Sequence, residues 1–160
     1  MIKKIDKYSY AHGTRFMDNG SRNYDVAGYR LPSVTTILGR TKDDTFLKDW
    51  IKKKGKKEAE RIKIASATRG TSMHKYLENY VLGKGYEDLT ELGQETKRMA
   101  QKVIEVGLAP VSGYFGSEVT VYYPGLYAGS TDLVGIHNDK ETIIDFKQAN
   151  RPKREEWIGD

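Results

Sequence analysis

Near residue 113 the chain changes its hydrophobic period, and that switch limits the folds open to it. Before it, helix formers carry apolar residues at spacings of three and four; after it, β-branched and aromatic residues alternate and the period shortens toward two. Such a chain packs helices against a sheet, in the mixed α/β (α+β) class. With 160 residues it is long enough for a single core, and no repeat, low-complexity tract or linker divides it. Residues 1–160 therefore read as one domain: a β flap over 1–31, a helical part over 32–110 and a sheet over 111–160.

Within the flap, aromatic and polar residues alternate from 7 to 31 around Asp18-Asn19-Gly20, a turn signal that predicts a β-hairpin or meander. Pro32-Ser33 before Val34, Ile37 and Leu38 predicts an N-cap and a short helix that stops near Gly39. Residues 43–66 carry Phe46, Leu47, Trp50 and Ile51 at helical spacing, interrupted by Gly55, so two helices or one broken helix are expected. Further helices are expected over 71–82 and 91–106. Three mainly antiparallel strands are expected near 115–123, 126–136 and 141–147, joined at Pro124-Gly125 and at His137-Asn138-Asp139-Lys140. Another helix begins at Pro152.

Composition excludes several classes of function. A hydrophobic content of 38%, a charged content of 31% and a mean hydropathy of −0.68 go with the absence of any apolar run near the ~20 residues of a membrane span. The first ten residues have lysines but no apolar stretch behind them, so no secretory signal is read and a cytoplasmic protein without membrane contact is expected. The absence of cysteine rules out disulfides, thiolate zinc sites, iron–sulfur clusters and cysteine nucleophiles. Any metal must sit on oxygen or imidazole.

The residues with chemical potential gather in the sheet. Asp145 and Lys147, two apart on an expected strand, share a face, and Asp132 on the preceding strand can lie across from them. Two close carboxylates repel unless a cation lies between them, and hard oxygen ligands select Mg²⁺ or Mn²⁺. The lysine could then orient water or stabilise charge on a phosphate. An acid-x-Lys triplet arises easily, as Glu95-Thr96-Lys97 in an expected helix shows, and Asp145 with Lys147 also reads as a surface ion pair at a strand end. His74 and Glu78, four apart, share a helix face, the spacing by which a helix supplies metal ligands, and Glu118 opens the first strand as a secondary candidate.

The net charge of +5 is uneven: residues 40–75 hold 12 Lys or Arg against 5 acids. A basic stripe of this kind is either a solvated helix face or the footprint of a polyphosphate partner.

Taken in order, Leu31-Pro32-Ser33-Val34-Thr35-Thr36-Ile37-Leu38, Trp50, Arg69-Gly70-Thr71 with His74 and Glu78, Glu118, Gly129-Ser130-Thr131-Asp132 and Asp145-Phe146-Lys147-Gln148 resemble the PD-(D/E)xK nuclease superfamily. Within it the chain is most similar to the RecB-like exonucleases, a group that includes the mitochondrial genome maintenance exonuclease and phage relatives. The resemblance, over residues 24–158, implies a restriction-endonuclease-like core and a Mg²⁺- or Mn²⁺-dependent DNA exonuclease in a phage or bacterial host cytosol. It implies Asp132, Asp145 and Lys147 as catalytic residues, and His74, Asp132 and Asp145 as metal ligands. Single-stranded DNA or DNA ends are the implied substrate. Ser33 and Thr35 at a helix N-terminus, the lysines from 48 to 57 (Lys48, Lys52 and Lys53 foremost) and Arg69 are candidates for phosphate, and Trp50 either stacks on a base or packs in the core. Such nucleases continue past the third strand with a helix bearing Gln-x-x-x-Tyr and a final strand. The chain ends at Asp160 within the counterpart of that helix, so the last helix and strand of the core are expected to be missing, or supplied by a partner chain.

Overall fold

The computed structural model describes residues 2–149, so the expected helix from Pro152 lies outside the described residues. Among the described residues the flap is a three-stranded meander, a second, four-stranded sheet is the main one, and four α-helices fill the middle of the chain.

Strands β2 (Gly13–Asp18) and β3 (Ser21–Val26) pair antiparallel across Asn19-Gly20. Both turn residues have positive φ, 47° and 76°, the type I′ requirement that an Asn-Gly pair meets without strain. β4 (Tyr29–Pro32) completes the meander, whose inner face buries Tyr24, Val26 and Leu31 against Ala128 of the main sheet. Helix α1 (Val34–Thr41) starts where expected, its first turn capped by the Ser33 hydroxyl, which accepts from the Thr36 N–H at 3.0 Å, and it runs two residues past Gly39.

Helix α2 (Thr45–Lys54) ends at Gly55, whose φ of 84° turns the chain into α3 (Lys56–Val81). The break at Gly55 is as expected. The separate helix expected over 71–82 is instead the second half of α3, because the inward stripe Ala59, Ile62, Ser66, Arg69, Met73, Leu77 continues at spacings of three and four straight through Gly70. A glycine inside a helix weakens it without ending it. Thr90 caps α4 (Glu91–Lys102), and the expected last turn to Val106 is a π turn over Val103–Gly107.

The main sheet has the order β1-β5-β6-β7. The long hairpin of β5 (Val111–Tyr123) and β6 (Tyr127–His137) and the shorter β7 (Lys140–Ile144) are antiparallel, as expected, although β7 stops before Asp145. The fourth strand, β1 (Lys3–Lys4), was not expected: it pairs parallel with β5 through Lys3↔Gly113 and Lys4↔Tyr114, and two residues are too few to show a period. Helix α3 lays Met73, Tyr76, Leu77 and Val81 on this sheet, where they meet Tyr114, Leu133 and Phe146, with Ala100 of α4 and Ile2 closing the core. Leu77 and Leu133 are wholly buried.

Gly135, across from Tyr114, marks the tightest point of the hairpin, since a Cβ there would lie 2.5 Å from the Gly113 carbonyl oxygen and 3.2 Å from the Tyr114 Cα. Backbone cannot rotate out of the way as a side chain can. Gly135→Ala should lower stability by about 1–3 kcal/mol, read as a lower urea midpoint with an unchanged slope.

Candidate metal centre and its cleft

At the end of the sheet where β7 stops, the Phe146 backbone is held on both sides. Its N–H donates to Asp132 Oδ2 at 2.5 Å, and its carbonyl oxygen lies 2.8 Å from His74 Nε2. Asp132 closes the triangle, with Oδ1 3.3 Å from His74 Nδ1. In register, Leu133↔Ile144 is the last pair of the β6–β7 ladder, so the Asp132 carboxylate takes over the chain where backbone pairing ends. Phe146 itself is buried in the core, its ring edge-on to the His74 imidazole at 6.2 Å.

This geometry favours a charge on His74. A carbonyl and a carboxylate only accept hydrogen bonds, so an imidazole facing one with each nitrogen satisfies both only as the doubly protonated cation. The hydrogen bond to Asp132 is the largest influence raising the His74 pKa above its ordinary value, and it outweighs burial. On Asp132 burial is the largest influence and pushes the carboxyl up, but the hydrogen bonds from His74 and the Phe146 N–H prevail and hold it below the ordinary range.

The third member is Glu118. It falls between the ladder pairs Ser117↔Leu133 and Val119↔Thr131, across from Asp132, and has a φ of 51°. A left-handed conformation in a non-glycine residue costs roughly 1–3 kcal/mol and concentrates where function requires it. Burial of its carboxyl end, then the negative charges of Asp132 and Glu78, raise the Glu118 pKa. Ligand atoms of His74, Glu118 and Asp132 all lie within 4.8 Å of one another. Opposed ligands of a Mg²⁺ ion lie about 4.2 Å apart, so small side-chain rotations would close this set on a hard cation. Glu78, one turn of α3 beyond His74, lines the same cleft of about 470 Å³, together with Gly70, Thr71, Lys75 and Arg15.

Asp145, expected as a ligand, stands outside this group. With Phe146 N–H given to Asp132, the chain has left the ladder, and Asp145 and Lys147 face solvent as an ion pair, Nζ to Oδ2 2.6 Å. Shared parity on a strand was the expectation; the pair lies just past the strand end and is brought side by side by the buried Phe146 between them. Lys147 still acts on the centre, since its charge helps to lower the Asp132 pKa.

The expected phosphate ligands fall into two groups. Ser33 is 1% exposed and its hydroxyl is spent on Thr35, Thr36 and the helix cap, leaving Thr35 as the exposed hydroxyl of that turn. Arg69 ties α3 to Glu95 of α4 at 3.2 Å, and with the Gln148 amide oriented so that its oxygen accepts, Arg69 Nε donates to it at 3.1 Å. These two residues therefore act as structural ties. By contrast, Lys52 and Lys53 are exposed and have no ion pair among the described residues, and Lys48 has only the local partner Asp44 at 2.8 Å. Trp50 is neither core nor free: it is half-buried in a notch of about 510 Å³ between α2 and α3, with Leu47, Ile51 and Ala59, and with Lys56 and Lys63 at the rim.

Arg15 escaped the sequence reading altogether. Its one signal is parity in the meander, where Arg15↔Tyr24 puts it on the same face as a buried tyrosine.

Because its folded pKa is raised, His74 contributes stability that is complete below the ordinary histidine value of 6.5 and is lost as pH rises through the raised value. Melting the protein in chelator from about pH 5.5 to about pH 8.5 should therefore show a falling midpoint, and His74→Gln should flatten that fall. Among the described residues no helix is long and apolar enough to cross a membrane. Comparison of the chain with known protein families, with curated proteins and with solved structures finds no match.

Proposed function

We propose that the protein is a metal-dependent nuclease with a restriction-endonuclease-like core, acting on single-stranded DNA or DNA ends. The observation that supports this reading is the backbone of Phe146, whose N–H is held by the β6 carboxylate of Asp132 and whose carbonyl faces the α3 imidazole of His74, with the solvent-facing Asp145–Lys147 pair on either side of it in the chain. The donor set fits a divalent cation, because the carboxylates of Asp132 and Glu118 converge beside the His74 imidazole, and a cation there would take the place of the His74 proton that faces Asp132. His74, Asp132 and Glu118 would hold Mg²⁺ or Mn²⁺, while Asp145 stays paired with Lys147 outside the group. When bound, the cation supplies Lewis acidity toward a phosphodiester and an acidified water.

The chain's own residues account for the rest. Asp132 orients His74 and holds the Phe146 N–H. Lys147, held by Asp145, keeps an ammonium at the mouth of the centre, where it can stabilise negative charge building on a phosphate oxygen. The exposed lysines of α2 and of the first half of α3 guide the strand, and the Trp50 notch offers an unpaired base an aromatic face beside Lys56, with Lys63 paired to Glu60 on the other side. Gly70, without a side chain, keeps the cleft wall beside His74 open.

Incubating end-labelled single-stranded DNA with Mg²⁺ or Mn²⁺ tests the reading. Wild type should cleave it, and Lys147→Ala and Asp132→Asn should each lose at least about a hundredfold in rate while still binding DNA. Salt-sensitive binding with no cleavage by wild type would replace this reading with a non-catalytic nucleic-acid-binding module, or an enzyme completed by a partner chain. Trp50→Ala should weaken single-strand binding by about 1–3 kcal/mol in an anisotropy titration, with little change on duplex.

A further inference from the structure

The carboxylate cleft has a wall that the catalytic reading does not use. β2 of the flap reaches the cleft through Arg15. At one end it touches β5, where a Cβ on Gly13 would meet the Thr120 side chain at 2.5 Å. Two residues along β2 on the same face comes Arg15, and two residues back along β5 comes Glu118. The contact at Gly13 thus aims Arg15 over the carboxylate group, and Arg15 lines the cleft together with His74, Glu78 and Glu118.

Two further observations separate Arg15 from an ordinary surface arginine. Arg30, from β4 of the same meander, is bound by Asp25 through two hydrogen bonds of 3.0 and 3.2 Å. Arg15 is exposed and has no ion pair among the described residues, although its charge is felt at Glu118. A guanidinium that shares a cleft with two carboxylates, Glu78 and Glu118, without closing on either is arranged for an anion that arrives with the substrate. Its five donors form a fork that matches two oxygens of one phosphate, which an ammonium cannot do.

We propose that Arg15 is a phosphate-binding residue of the cleft, taking two oxygens of a backbone phosphate on a strand that crosses the His74–Glu118–Asp132 group. The strand's identity as DNA rests on the nuclease reading; the phosphate chemistry rests on the cleft. The meander is then part of the binding site as well as a cover for the core, and it contributes the one phosphate contact that comes from outside the helices and the main sheet.

The experiment is an anisotropy titration of a fluorescent oligothymidylate, with Ca²⁺ in place of Mg²⁺ to hold the strand uncut, at several salt concentrations. Wild type is compared with Arg15→Gln and Arg15→Lys, and Mn²⁺ binding by each is measured by calorimetry without DNA. The proposal expects Arg15→Gln to lose about tenfold or more in affinity, with the salt slope smaller by about 0.7, as for one phosphate contact on a single strand. Arg15→Lys should keep the slope and recover only part of the affinity, with Mn²⁺ affinity unchanged in both. Binding by Arg15→Gln equal to wild type overturns the proposal. So does tighter Mn²⁺ binding by Arg15→Gln with an unchanged salt slope, which would make Arg15 merely a counter-charge to Glu118. Absence of salt-dependent binding by wild type overturns it as well. Cleavage in Mg²⁺ by wild type is scored separately: a protein that binds through Arg15 but does not cut loses the nuclease reading and keeps this one.

Discussion

The backbone of a single residue organises the centre. Both polar atoms of Phe146 are claimed at the point where β7 stops, the N–H by Asp132 and the carbonyl by His74. Buried backbone groups must find partners, and past Ile144 the ladder offers none, so the two side chains act as the missing strand. The same bonds that finish the sheet thereby collect a carboxylate and an imidazole at one place and set the Asp145–Lys147 pair beside them. Structure and candidate chemistry share the same atoms here, so every substitution in this trio is a test of both.

That dependence explains what could be read from residues and what could not. The change of period near residue 113, the Asn19-Gly20 turn, the Ser33 cap and the two hairpin turns are local signals, and each decided its element. That Asp132 and His74 belong to one region followed from the ordered set of motifs, and the structure does bring those two together. The ligand group itself was not. Its third member depends on a left-handed residue in β5, and sequence spacing says nothing of φ at Glu118. Asp145 was placed by strand parity, but the ladder stops one residue short of it, and parity has no meaning past a strand end.

Long-range placement was equally hidden. Arg15 reaches the cleft because the meander folds back onto β5 and β6, a tertiary event resting on Tyr24, Val26 and Leu31 against Ala128. Arg69 and Ser33 illustrate the converse, in which residues of the right chemistry for phosphate are consumed by the fold. A cap hydroxyl that is 1% exposed has no capacity left for a ligand, and an arginine shared between Glu95 and Gln148 holds α4 and the segment after β7 onto α3.

The uninterrupted course of α3 through Gly70 has a metrical consequence. Lys63 at the rim of the Trp50 notch and His74 in the cleft stand on the same helix, eleven residues apart, which at 1.5 Å per residue is about 17 Å. Had the helix broken at Arg69-Gly70, that interval would vary with every adjustment of the joint. Carried instead by consecutive backbone hydrogen bonds, it is constant, and α3 serves as a ruler whose two graduations are an aromatic notch and a cluster of carboxylates.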